Sequence, residues 1–364
     1  MKTRPARDRD SAPRDSVPRD SACRDSVRRL VRRDSRTPSF RGSRGEVLPG
    51  SVAEVGYVTL GGLDQWVLIR SVSVDNPPLI LLHGGPGFSE THFFRRFMAP
   101  LERVFTVVYW DQRGSGKSYS RAIPGSSMTT EQFIADLDEL VDRVRRRLGK
   151  EKVVLFGHSW GTVLGVLYAA RFPQKVAAYA GSGQIGDWPA AESASYAYAL
   201  AEAQRLGERK ALEELRAIGP PPYSARSLWV ERTWLQRFEG QLSVRGLGGM
   251  ARDFICAPEL SLLDLPGLIR GFRWSLDVMW EDVSRLDLIE RAPSLEVPVA
   301  FLLGRRDRWV PPETSVTYFE ALSAPSKELV WFERSGHEPF VDEPAAFRRA
   351  MVEVVRAAAR RAGG

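Results

Sequence analysis

Val153–Gly165 reads VVLFGHSWGTVLG, and its three parts decide the fold. Val153 to Phe156 form an unbroken apolar run, short enough for a strand and without the polar alternation of a half-exposed one, as expected of a strand buried on both faces. Gly157, His158, Ser159, Trp160 and Gly161 then spell G-x-S-x-G. From Thr162 to Phe172 the apolar residues keep helical spacing, until Pro173 stops the pattern. A nucleophilic serine has to project from such a strand-to-helix bend, its own backbone is strained there, and glycines two residues to either side remove Cβ atoms that would collide. The free amides that open the helix also point at any negative charge forming beside Ser159.

Outward from this stretch, strand and helix signals alternate. Gly56 to Leu60 and Gln65 to Val74 read as antiparallel strands around Gly61-Gly62. Leu79 to Leu82 and Val104 to Trp110 read as short apolar strands. Thr129 with Gln132 forms a capping-box pattern, and Phe133, Ile134, Leu137, Leu140, Val141, Val144 and Leu148 hold helical spacing up to Gly149. Val176 to Ala180 predicts the next strand. Between Asp187 and about Glu290 the composition is helical, without strand signals, and holds Trp188, Trp229, Trp234, Trp274 and Trp280. Strand signals return at Val297 to Leu303 and Glu328 to Phe332, and a helix over Ala345 to Ala359 closes the chain. The prediction is an α/β fold with a mostly parallel central sheet covered by helices, built from residues 45–186 and 291–364, with a helical cap inserted at 187–290.

The chain has 364 residues, 43% of them hydrophobic, which suffices for a large core. Its net charge of +7 is unevenly spread. Residues 1–45 carry fourteen basic against six acidic side chains, a surplus of eight, so the remainder is one negative charge from neutral. The tail, residues 1–44, is built on a repeat, R-D-S-A-P, R-D-S-V-P, R-D-S-A-C, R-D-S-V-R, and is expected to be disordered, since it has almost nothing apolar to bury. Each repeat places Asp beside Arg, which argues against a nucleic-acid or membrane-binding arm. Cys23 and Cys256 suggest no disulfide framework. No apolar run is long enough to span a bilayer and no signal-peptide pattern is present, so the expected location is cytoplasmic. The expected partner is a small molecule or short peptide as substrate, with neither nucleic acid nor membrane.

Asp307, within Gly304-Arg305-Arg306-Asp307, and His337, within Ser335-Gly336-His337, each follow a strand. Both therefore fall at the carboxyl edge of the sheet, where sites gather in open α/β folds. The chain order Ser159, Asp307, His337 is that of an α/β-hydrolase triad, with the histidine as proton carrier and the aspartate holding its tautomer. Asp187 and Asp287 compete with Asp307 for the acid role. Among the other histidines, His83 reads as a structural hydrogen-bonder and His158 as pointing away from its neighbour. The loop His83-Gly84-Gly85-Pro86-Gly87 is the expected oxyanion hole, with the N–H groups of Gly85 and Trp160 as donors; Pro86 has none. Gly114-Ser115-Gly116-Lys117-Ser118 contains G-K-S, but a phosphate-binding loop would need glycine where Asp111 stands. The chemistry calls for no metal and no cofactor.

From about Gly45 onward the sequence resembles the α/β-hydrolase superfamily. His83-Gly84-Gly85-Pro86-Gly87 and Asp111-Gln112-Arg113-Gly114-Ser115-Gly116-Lys117-Ser118 are similar to the proline iminopeptidase branch, which removes N-terminal proline from small peptides with a serine triad and no metal, beneath a helical cap. The resemblance implies Ser159 as nucleophile, Asp307 as acid, His337 as base, and Gly85 with Trp160 as oxyanion donors. The chain departs from that branch at His158, where glycine is usual, and at Arg306, where its motif has tyrosine. An aminopeptidase must pair its substrate's ammonium with a carboxylate in a dry pocket. Glu192, Glu231 and Glu281, each near an aromatic such as Trp280, are the candidates. Three readings follow: a serine hydrolase on a small amide or ester, with proline iminopeptidase activity the specific version; an esterase, lactonase or C–C bond hydrolase on an apolar substrate; and a non-catalytic binding protein using the basic tail. Epoxide hydrolase and dehalogenase chemistry would require Asp in place of Ser159.

Overall fold

A computed structural model describes residues 3–5, 36–239, 252, 254 and 256–362. The strands are β1 (Thr3–Pro5), β2 (Val52–Leu60), β3 (Leu63–Ser71), β4 (Pro78–Leu82), β5 (Thr106–Trp110), β6 (Val153–His158), β7 (Val176–Ser182), β8 (Val299–Gly304) and β9 (Lys327–Phe332). They form one sheet in the order β1-β9-β8-β7-β6-β4-β5-β3-β2. β2 pairs antiparallel with β3, and β3 antiparallel with β5; every other neighbouring pair is parallel. All residues of β4, β5, β6 and β8 are buried, as a parallel sheet covered on both faces requires. β2, at the antiparallel edge, instead buries only its end residues, Val52 and Leu60.

Alternation along these buried strands divides the interior into two cores. Ile80, Leu82, Val108, Trp110, Val153 and Leu155 point to one face. Leu79, Leu81, Val107, Tyr109, Val154 and Phe156 point to the other. The first core is covered by α1 (Thr130–Leu148) and α2 (Trp160–Arg171). The Thr129 side chain caps α1 by accepting from the Gln132 N–H, and left-handed Gly149 ends it. The capping box is only half made, because the Gln132 side chain turns to Asp136 instead.

α3 (Trp188–Leu206), α4 (Arg209–Ile218), α5 (Ala225–Glu239) and α6 (Leu265–Val283) lie between β7 and β8; α7 (Pro312–Ala321) and α8 (Pro344–Ala362) follow β8 and β9. α8 covers the second core, with Phe347, Met351 and Val354 buried. Among the described residues no helix is long and apolar enough to cross a membrane.

The repeat tail expected to be disordered lies outside the described residues from 6 to 35, Cys23 included. Thr3–Pro5 form the edge strand β1 beside β9. The described chain resumes at Arg36, ahead of the expected start at Gly45, and is fastened there. Thr37 donates to Glu259 and accepts from Arg70, whose guanidinium lies 4.5 Å from the Phe40 ring centroid. Cys256 is a half-buried thiol that forms no disulfide among the described residues.

Candidate active site

Ser159 lies at the junction of β6 and α2 with φ 51° and ψ −120°, the one non-glycine residue at positive φ among the described residues. A non-glycine residue persists in that region only where its surroundings over-determine it. Here the Ser159 N–H donates to the carbonyl of Ser182 at 3.0 Å, and its own carbonyl accepts from the Thr162 N–H at 2.8 Å and hydroxyl at 2.6 Å. The flanking glycines serve close packing. A Cβ on Gly161 would come within 2.1 Å of the Leu82 carbonyl oxygen, and one on Gly157 within 2.5 Å of the Gly161 carbonyl oxygen.

His337 follows β9 and Asp307 follows β8. The His337 Nδ1–H donates to Asp307 Oδ2 at 2.8 Å, while Asp307 Oδ1 accepts the N–H groups of Trp309 and Val310, each at 2.9 Å. The competing acids are engaged elsewhere. Asp187 caps α3 through the Ala190 N–H, and Asp287 caps a short helical turn through Ile289 and Glu290. Ser159 and His337 line one cavity of about 260 Å³ between the strand ends and the helices that follow β7.

The loop after β4 passes beside Ser159. Gly85, at φ 122°, could carry no side chain, since a Cβ there would meet the Gly87 nitrogen at 2.4 Å. Among the described residues neither the Gly85 nor the Trp160 N–H has a protein acceptor. Gln112 and Asp111 hold this loop in place. Gln112 Nε2 donates to the His83 carbonyl at 3.0 Å, and Gln112 Oε1 accepts from Trp160 Nε1 at 3.1 Å, so one side chain ties the loop to α2. Asp111 accepts the hydroxyls of Ser89 and Thr91 and the Lys117 N–H. The motif from Asp111 to Ser118 thus acts as scaffolding. His83 is a neutral hydrogen-bonder: its Nδ1–H donates to the Gly84 carbonyl, its Nε2 accepts the Gln112 N–H, and burial lowers its pKa.

The cap candidates are separated by the structure. Glu192 and Trp280 line the cavity. Glu192 is already paired with Arg232, and it accepts from Trp188 Nε1 and the Tyr223 hydroxyl, each at 3.2 Å. Glu231 is fully buried outside the cavity lining and also takes Arg232. Glu281 is outside the cavity, 84% exposed and paired with Arg285; adjacent helical residues diverge by about 100°, so a buried Trp280 turns Glu281 to water.

Of the ionisable cavity residues, Glu90, Arg232 and Glu338 were not singled out by the sequence, and His158 was read as pointing away. His158 does not simply point away. Its Nδ1–H donates to Glu90 Oε1 at 2.6 Å and its Nε2–H to the His337 carbonyl at 3.0 Å, while Glu90 Oε2 accepts the Gly84 N–H at 2.9 Å. Burial alone would lower the His158 pKa, but the charge and hydrogen bond of Glu90 outweigh it and raise it. Burial likewise opposes ionisation of Glu90, and the His158 cation overcomes it and holds the carboxyl below its usual range. Histidine in place of glycine inside G-x-S-x-G was the sequence signal for this pair; its acidic partner, 68 positions away, left none.

A family model described as the alpha/beta hydrolase fold matches residues 77–209. The probable aminopeptidase YbaC of Bacillus subtilis is 32% identical over 305 residues, spanning 83% of this chain and 96% of that protein. A proline iminopeptidase of Neisseria gonorrhoeae is 37% identical over 121 residues, 33% of this chain and 37% of that one. The chain is an α/β-hydrolase related to the proline iminopeptidases. Among solved structures, a proline iminopeptidase-related protein of Thermus thermophilus superposes with a TM-score of 0.61 at 23% identity, covering 84% of this α/β-hydrolase and 98% of its own chain, a likeness of fold. A hydrolytic role and a mostly parallel sheet flanked by helices are thereby established for this α/β-hydrolase.

Proposed function

We propose that this hydrolase works by acyl transfer through Ser159, His337 and Asp307, and that its substrates are small peptides or amides with a free amino terminus, N-terminal proline foremost. The observation that carries the reading is the strained Ser159 facing the same cavity as a His337 already oriented by Asp307. In this mechanism His337 Nε2 takes the hydroxyl proton as Ser159 Oγ attacks the carbonyl carbon. The Gly85 and Trp160 N–H groups receive the oxyanion. His337 then delivers its proton to the leaving amine, an acyl-serine forms, and a water deprotonated by His337 releases the acid. Similarity over 83% of the chain to a probable aminopeptidase favours the amine-bearing substrate. One observation favours the second reading, an esterase for neutral substrates: Arg232 neutralises Glu192, the cap carboxylate that faces the cavity.

The test is labelling with a fluorophosphonate probe, followed by turnover of prolyl and alanyl 4-nitroanilides against amine-free esters. Ser159→Ala is expected to lose the label and to lower kcat by roughly 10⁴- to 10⁶-fold. Labelling that survives this substitution rejects the triad, and ester turnover without any amide turnover leaves the esterase.

A further inference from the structure

We propose that Glu338, the residue following the catalytic base, receives the substrate's α-ammonium group. The proposal rests on the amine-substrate reading above and assigns the residue that would enforce it. Three carboxyl groups line the cavity, those of Glu90, Glu192 and Glu338. Glu90 is matched by His158 and the Gly84 N–H, and Glu192 by Arg232. Glu338 is only 6% exposed, and among the described residues nothing but its own backbone N–H donates to it.

The charges that act on it are acidic, those of Glu90, Asp342 and Asp307. Each has its own donors, since Asp307 holds His337 and two backbone amides, and Asp342 accepts the Gly336 N–H at 2.9 Å. The position of Glu338 is therefore a negative pocket with one counter-charge missing. Burial first, and then these three neighbours, push its carboxyl well above the usual range. A buried carboxyl without a cation keeps its proton; a cation brought beside it drives the proton off. On binding, an ammonium group would keep its own protons, Glu338 would release one to solvent, and a buried ion pair would form. A prolyl or other aminoacyl terminus brings such a cation, attached to the carbon beside the carbonyl that Ser159 attacks. A neutral ester brings none.

The experiment compares L-prolyl and L-alanyl 4-nitroanilide with their des-amino counterparts, cyclopentanecarbonyl and propionyl 4-nitroanilide, and with 4-nitrophenyl butyrate, in wild type, Glu338→Gln, Glu338→Asp and Glu192→Gln. Glu338→Gln reproduces the neutral form and is expected to fold; Glu338→Met, of similar volume, is the second variant. The expected result is that the preference for amine over des-amino substrate falls about 10- to 100-fold in both, mainly through KM, and is partly restored in Glu338→Asp. Glu192→Gln is expected to keep most of the preference. A preference present in wild type and unchanged in Glu338→Gln and Glu338→Met overturns the assignment and leaves the aminopeptidase reading standing. Absence of any preference in wild type, with esters hydrolysed and amides untouched, removes both.

Discussion

Glu231 shows how one side chain links the cap to pH. It is fully buried and shares Arg232 with Glu192. Burial pushes its carboxyl from 4.5 up to about 7 against the opposing charge of Arg232, and Glu192 pushes the same way. With the folded-state value raised, the native protein holds a proton that the unfolded chain has lost between those two values. The stabilisation is complete below pH 4.5 and is lost as pH rises to about 7, a change on the order of 3 kcal/mol. Wild type is expected to lose stability as pH rises from about 4.5 to about 7, and Glu231→Gln to flatten that fall by a corresponding amount in urea denaturation. Parallel curves would contradict the raised carboxyl. At this scale the sequence was informative for Ser159, Asp307 and His337, whose neighbours along the chain create their setting. It was uninformative for Glu338, which is distinguished only by what does not pair with it.

Two loops from different parts of the chain meet through a single pair. Glu90, after β4, and His158, ending β6, link the Gly84 amide to the carbonyl of His337. The loop with the expected oxyanion donor and the loop with the proposed base are thus held by one buried, charged hydrogen bond. Removing either partner leaves the other charge buried alone, which costs about 3–5 kcal/mol. Glu90→Gln and His158→Phe are each expected to destabilise the protein by that order and to slow turnover, and the double variant to lose less than the sum of the two. Urea midpoints in a double-variant cycle check this, and strictly additive losses would refute the coupling. Most strands were visible beforehand because buried parallel strands read as short apolar runs. The ends of β2 and β3 were less so, because the edge strand β2 mixes polar and apolar residues and the limits of an antiparallel pair depend on both partners.

Across the whole molecule, the cavity is lined by residues from Gly84 to Glu338. Among the described residues none before Gly84 lines it, and Thr3–Pro5 form the strand β1 at the sheet edge. A protein beginning at Arg36 is therefore expected to keep kcat/KM within about twofold of the full chain, since distant sites act independently. A larger loss, or nucleic-acid binding that disappears with the truncation, would give the tail a role that the cavity does not.

The sequence alone determined the alternation of elements, the elbow at Ser159 and the chain order of Ser159, Asp307 and His337, because these follow from local periodicity and from glycines whose need is set by their chain neighbours. Tertiary structure decided which carboxylates face the cavity and which of them are already paired. Arg232 closing on Glu192, Glu281 turning to water and Glu338 left without a cation all depend on which elements pack together. Charge pairing acts through space at a few ångströms, and separation along the chain carries no record of it.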